Sequence, residues 1–276
     1  MKYCLKYNKD SEYMNDVDEI IYFVKEFNEE LKKFITSYEN KRVILDLTYL
    51  NLEDKDIKSF IFAFGSYKNV VFRLSSYDVA YDTNNDSNLL MDDLYEQNIK
   101  FFVDEIITDY DTLNFYCRKG VSDVYIGGSL AFDVANVRKQ IGDNVQIRMF
   151  PNLAYSDSYI RIPADMTLYT SFVRPEDTEV YEHEGVNVFE FVGRDEQQDT
   201  YYKIYAIDKK WYGNLQEMIA KLEIELDSRF IFPAFGDKRV KCNRKCQKGG
   251  GCNLCPQILK LSSALKDKNI IFEKIN

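Results

Sequence analysis

The chain has 276 residues, 45% of them hydrophobic and 15% aromatic, and a formal net charge of −9. That composition excludes a disordered chain, which is poor in aromatic and β-branched residues, and the acidic balance disfavours bulk attraction to nucleic acid or anionic membrane. The chain contains no apolar stretch near the ~20 residues of a membrane span, and the opening MKYCLKYNKDSEY lacks the apolar run of a signal peptide; the expectation is a cytoplasmic protein.

Taken in order, short β-branched or aromatic runs alternate with helical patterns. KYCLKY (2–7) alternates like a strand, and residues 15–37 read as a long helix, because Ile20, Val24, Phe27, Leu31 and Phe34 recur at three- and four-residue steps. RVILDLTYL (42–50) and NVVFRLSS (69–76) are strand patterns around a helix at 52–65, and a loop at 77–88 leads to a helix near 89–98. KFFVDEIIT (100–108), SDVYIGG (122–128) and NVQIRMFPN (144–152) are further strands, separated by helices at 109–120 and 129–142. Ser129 is the candidate N-cap of the second of these helices and Gly142 its terminator. MTLYTSF (166–172) reads as a strand, RPEDTEVYEHEG (174–185) as a helix with Pro175 in its first turn, and VNVFEFVG (186–193) as the closing strand.

Strands alternating with helices imply parallel pairing. Eight such units predict an α/β fold, a (β/α)8 TIM-like barrel over 1–199, with a doubly wound open sheet as the alternative. The chain shows no GxGxxG after the first strand. Residues 200–276 read as a C-terminal extension packed on the barrel: a hairpin or arm at 201–213, a helix at 214–226, and a last helix in PQILKLSSALKDK.

Four of the six cysteines, Cys242, Cys246, Cys252 and Cys255, fall in KCNRKCQKGGGCNLCP. C-x3-C and C-x2-C each let one turn offer two sulfurs to a single ion, and Gly249 to Gly251 let the chain fold back between the pairs. In a reducing compartment such a cluster holds metal rather than disulfides. Four thiolates satisfy Zn2+, the cofactor expected here, or a [4Fe-4S] cluster, the alternative. Residues 238–248 carry six basic residues and no acidic one; they offset the negative charge of a metal-thiolate centre, or form a local RNA or anion contact.

A second constellation is charge inside strands. Barrel strands are buried on both faces and should be apolar, yet Asp46, Arg73, Asp104, Glu105, Arg148 and Glu190 interrupt apolar runs. One reading is a polar pocket at the C-terminal mouth of the barrel, with Arg73, Arg148 and Arg174 gripping an anion and Asp104, Glu105 or Glu190 as catalytic acid or base. The other is a set of structural ion pairs. YIGGS (125–129) is a tight βα turn or an anion site. The single histidine, His183, nearly excludes Ser–His–Asp catalysis and His-rich catalytic zinc.

The DVYIGG strand end, the FVRPED helix start and the late four-cysteine cluster resemble the collagenase-like peptidase family, which includes iron–sulfur relatives. The resemblance implies a barrel core and a metal role for Cys242, Cys246, Cys252 and Cys255. The expected function is therefore a barrel enzyme acting on a small anionic or peptide-like substrate. The alternative is a non-catalytic protein-binding module, of phage or mobile-element origin, because 21 tyrosines and an acidic surface suit a protein partner.

Overall fold

The computed structural model describes residues 1–50, 55–76, 86–155, 170–222, 226–232, 234–242 and 254–267. Among them, one sheet of parallel strands contains β1 (Lys2–Lys6), β2 (Glu19–Phe23), β3 (Arg42–Asp46), β4 (Val70–Leu74), β5 (Phe101–Val103), β6 (Ile106–Ile107), β7 (Asp123–Ile126), β8 (Gln146–Met149) and β9 (Val188–Glu190). Their spatial order is β5-β4-β3-β2-β1-β9-β8-β7-β6.

The two edges of this sheet, β5 and β6, are consecutive pieces of one extended segment, 101–107. Its first half pairs with β4 and its second half with β7. Asp104 N donates to Leu74 O on one side, while Ser122 N donates to Phe101 O at 2.8 Å on the other. Among the described residues the sheet thus returns on itself through the segment 101–107 as an eight-position ring, a TIM-like α/β fold. An open doubly wound sheet is overturned by this pairing.

Helices α1 (Glu29–Ser37), α2 (Lys55–Phe64), α3 (Asp86–Glu96), α4 (Tyr110–Arg118), α5 (Val134–Ile141) and α6 (Thr178–Glu184) lie in the connections between strands. Local chemistry sets several ends. Asn28 Oδ1 accepts from Leu31 N at the start of α1, and Asp109 Oδ1 accepts from Thr112 N at the start of α4. Gly142, at φ 69°, ends α5 in a backbone region where a side chain would be strained. Ser129 does not cap: its hydroxyl donates to Thr108 O, fastening the turn after β7 to the turn after β6.

The long helix expected over 15–37 is two elements. Residues 19–23 are β2, and only 29–37 are helical. Ile20 and Ile21 are both fully buried, on opposite faces of the strand, which a one-sided amphipathic helix does not allow. The strand expected at 166–172 is absent from its described part: Ser171 makes only an isolated antiparallel bridge to Tyr155, and 166–169 lie outside the described residues. Among the described residues β2 fills the place in the ring that this segment was expected to take.

The tail also departs from the expected pattern. Residues 201–213 form no hairpin; α7 (Asp195–Tyr202) runs into a π-helical turn, Lys203–Asp208. Tyr205 is buried there and its hydroxyl donates to Val173 O, while Tyr3 OH of β1 donates to Tyr205 O. Of the helix expected at 214–226, residues 223–225 lie outside the described residues and the described part holds only a 3-10 turn, Leu215–Glu217, because Asn214 Oδ1 accepts from the backbone N–H groups of Gln216 and Leu226 and folds the segment back. Two helices follow, α8 (Phe235–Val240) and α9 (Leu254–Asp267). One buried cluster extends from Tyr3 to Ile258 and joins barrel and tail. Among the described residues, no helix is long and apolar enough to cross a membrane.

Candidate functional site at the barrel mouth

Alternate residues of each strand face the barrel axis. Cys4, Ile21, Ile44, Val71, Phe102, Tyr125 and Val188 form an apolar layer there. Charged side chains sit on both sides of it, and Arg148 joins the two sets.

Toward the N-terminal end lie Glu19, Arg42 and Asp123. Arg42 reaches Glu19 at 3.2 Å and both oxygens of Asp123. Arg148, 0% exposed, donates to Glu19 at 2.6 Å and Asp123 at 3.0 Å, and with its other nitrogen to Glu190 at 3.3 Å. Its guanidinium also lies 5.2 Å from the Phe102 ring centroid and 5.5 Å from that of Tyr125. Burial alone pushes the Asp123 carboxyl up, but Arg42 and then Arg148 more than reverse this and bring it down to about 2.

Toward the C-terminal mouth lie Lys6, Phe23, Asp46, Arg73, Tyr125 and Glu190. Arg73 pairs with Asp46 and with Glu190 at 2.9 Å, and donates to the Tyr125 oxygen at 3.2 Å. The Tyr125 hydroxyl in turn donates to Glu190 at 2.5 Å. Burial first, and Glu190 next, push the Tyr125 pKa well up, so the phenol stays a donor. Asp46 also accepts from the backbone N–H and hydroxyl of Thr48. Lys6 Nζ and the Arg73 guanidinium stand 5.7 Å and 5.9 Å from the Phe23 ring centroid. Phe150 stacks on Tyr125 at 4.7 Å.

The expected site residues therefore separate. Arg73, Arg148 and Glu190 are joined in one network. Asp104 sits at the rim, where it accepts from Ser76 N at 2.6 Å. Glu105, the next residue, points to the helix side and accepts from Tyr116 OH of α4 at 2.5 Å. Arg174 lies away from the axis, paired with Asp177 at 2.6 Å and set over the Phe235 ring at 4.8 Å. Sequence reasoning missed Lys6, Glu19, Arg42, Tyr125 and Asp123. Glu19 and Arg42 open their strands and resemble loop-flanking charges; the available signal was their in-register position, since Glu19 pairs with Arg42 across β2 and β3.

Among the network residues, three guanidiniums face four carboxylates, Glu19, Asp46, Asp123 and Glu190, so every acceptor bond matters. Tyr125→Phe removes one donor to Glu190 and one acceptor from Arg73. The expected loss is about 1–3 kcal/mol of unfolding free energy, read by urea denaturation, with the far-UV spectrum unchanged.

Of the four tail cysteines, Cys246 and Cys252 lie outside the described residues. Cys242 follows α8, its N–H donating to Arg239 O, and Cys255 is in the first turn of α9. The field of Cys242 reaches Tyr181 and that of Cys255 reaches Arg239, and Tyr181 and Arg239 also act on each other. Among the described residues no three His, Cys, Asp or Glu side chains come together as a metal site requires.

No protein-family model matches the chain, and no curated protein matches it. Among solved structures, the chain is similar to 3-hexulose-6-phosphate synthase from Salmonella typhimurium, at 14% identity and TM-score 0.42, covering 76% of this chain and 100% of that one. It is also similar to D-psicose 3-epimerase from Clostridium cellulolyticum H10, crystallised with D-tagatose, at 10% identity and TM-score 0.37, covering 99% and 100%. The assignment of the fold rests on the strand pairing itself.

Proposed function

We propose that this chain is a barrel enzyme that binds a small anionic substrate at the C-terminal mouth, with Arg73 and Lys6 holding the anion and Glu190 exchanging a proton with it. The observation that carries this reading is the position of Arg73. Arg148 is sealed inside the barrel, whereas Arg73 is 8% exposed and stands with Lys6 around Phe23 at the end where barrel enzymes place their chemistry. A carboxylate bonded to Arg73 and Tyr125 is held in one orientation, as a general base requires. Glu190 would take a proton from the substrate, and the cationic Lys6 would stabilise the oxygen that gains negative charge.

The test is calorimetric titration of the full chain with inorganic phosphate, a sugar phosphate and a dicarboxylate. One of these is expected to bind, and Lys6→Gln or Arg73→Lys to weaken it about tenfold, the worth of a charge-assisted hydrogen bond. Arg174→Gln leaves the affinity unchanged. Binding that is absent from the wild type, or indifferent to both mouth variants, rejects the reading.

The same reading assigns Cys242, Cys246, Cys252 and Cys255 to one structural metal, zinc, with a [4Fe-4S] cluster the alternative. It is supported by the ligand spacing. With all four positions filled by sulfur, a zinc ion would cross-link the tail and leave the chemistry to the barrel.

A further inference from the structure

Beyond the apolar axis layer, the next inward positions toward the C-terminal end are not all charged. Two residues on from Ile21 and Arg148, and on the same face of their strands, stand Phe23 and Phe150. At Gly127, two residues on from Tyr125, the place is filled by Ile106, whose Cγ2 would lie 2.5 Å from a Cβ there. Phe23, Ile106 and Phe150 pack against the axis layer yet are only half-buried. Tyr49, 85% exposed, stands beside Phe23, with ring centroids 6.3 Å apart and planes inclined at 47°.

The turn that carries Tyr49 is anchored. Asp46 Oδ1 accepts from the Thr48 N–H at 3.0 Å and the Thr48 hydroxyl at 2.7 Å, and Leu50 N donates to Leu47 O at 2.9 Å. The other oxygen of Asp46 holds Arg73. One carboxylate therefore ties the exposed ring to the cation at the mouth. On the other side of Phe23, Lys6 Nζ donates to Gly193 O at 3.2 Å, and among the described residues no carboxylate pairs with it. An ammonium has three N–H donors, so two are left to face a ligand.

Apolar surface half-open to water at the end of a barrel is where the apolar part of a ligand is expected to lie. A bare anion covers none of it. A hydroxyl-rich ring needs further polar partners, whereas the oxygens of Asp46 and Glu190 are already engaged by Thr48, Arg73, Tyr125 and Arg148.

We infer that the mouth takes an aromatic anion, its charged group held by Lys6 and Arg73 and its flat ring lying against Phe23 and Tyr49. The inference rests on the reading of the mouth as the substrate site and narrows the class of substrate.

The test is calorimetric titration of the full chain with two pairs matched in charged group: phenyl phosphate against methyl phosphate, and benzoate against acetate. In at least one pair the aromatic member is expected to bind about tenfold tighter, the size of a good ring–ring contact. Tyr49→Ala abolishes that preference, so that the two members bind alike, and Tyr49→Phe keeps it. The exposure of Tyr49 lets both variants fold, which the far-UV spectrum checks. Equal binding within both pairs, a preference that survives Tyr49→Ala, or ribose 5-phosphate binding more tightly than phenyl phosphate overturns the inference alone. No binding by any of the four fails the reading of the mouth as an anion site, and this inference with it.

Discussion

Arg148→Met lowers the unfolding free energy by about 3–5 kcal/mol, the cost of leaving buried carboxylates without their cation. Arg148 is wholly buried and touches Glu19, Asp123 and Glu190. Without it, four carboxylates face only Arg42 and Arg73. Against a total stability of 5–15 kcal/mol, the midpoint of urea unfolding shifts far to the left. Adding Glu19→Gln to Arg148→Met recovers part of the loss, because one uncompensated charge is removed with little change of shape. A single-variant loss below about 1 kcal/mol would show that the network is solvated and contributes little.

The same network sets an acid limit. The Asp123 carboxyl lies near 2 in the folded chain, against an ordinary 3.8. A depressed folded value means that the stabilising contribution is fully present above about pH 4 and is lost as pH falls toward 2. The contribution is of the order of 2 kcal/mol. In Arg148→Met, one of the two cations that depress this group is gone, so the Asp123 contribution is smaller and the pH window over which it is lost is narrower. Unfolding curves between pH 5 and pH 2 check both statements.

The barrel was legible because its strands carry their own signal. Val43–Leu45, Val70–Phe72 and Val124–Ile126 are apolar on both faces, as strands between an axis layer and a helix layer must be. β2 was hidden because Ile20, Val24 and Leu31 fall on helical spacing by coincidence across a strand, a loop and a helix. Burial of Ile21 beside Ile20 decides the matter, and burial is a property of the closed ring rather than of the segment. The site was half legible for a related reason. A charge within an apolar run announces burial, which found Arg73, Arg148 and Glu190. It does not give direction: Asp104 and Glu105 are neighbours, yet one meets Ser76 and the other meets Tyr116. Arg174 announced burial correctly but is buried against α8, not on the axis. Lys6 ends a strand and resembles any solvent-facing lysine until β1 and β2 bring it over Phe23.

Metal removal has the other large effect. The purified chain is expected to carry one zinc, and stripping it lowers the melting temperature and opens residues 235–267 to protease while the barrel keeps its far-UV spectrum. Structural zinc contributes about 10–16 kcal/mol of apparent binding energy to small zinc-finger peptides. The effect here is smaller, since α8 stays docked through Phe235 and Arg239 and α9 through Ile258, all buried. Cys242→Ser and Cys255→Ser reproduce the protease sensitivity. Cys117→Ser, half-buried on α4 and remote in sequence from the cluster, does not. The contrast separates ligation from loss of a thiol. Four tail thiols that react freely with a disulfide reagent in the native, untreated protein, with no metal by elemental analysis, would reduce the cluster to ordinary surface cysteines. The tail would then be held by apolar burial alone, and its protease sensitivity would be the same with or without chelator.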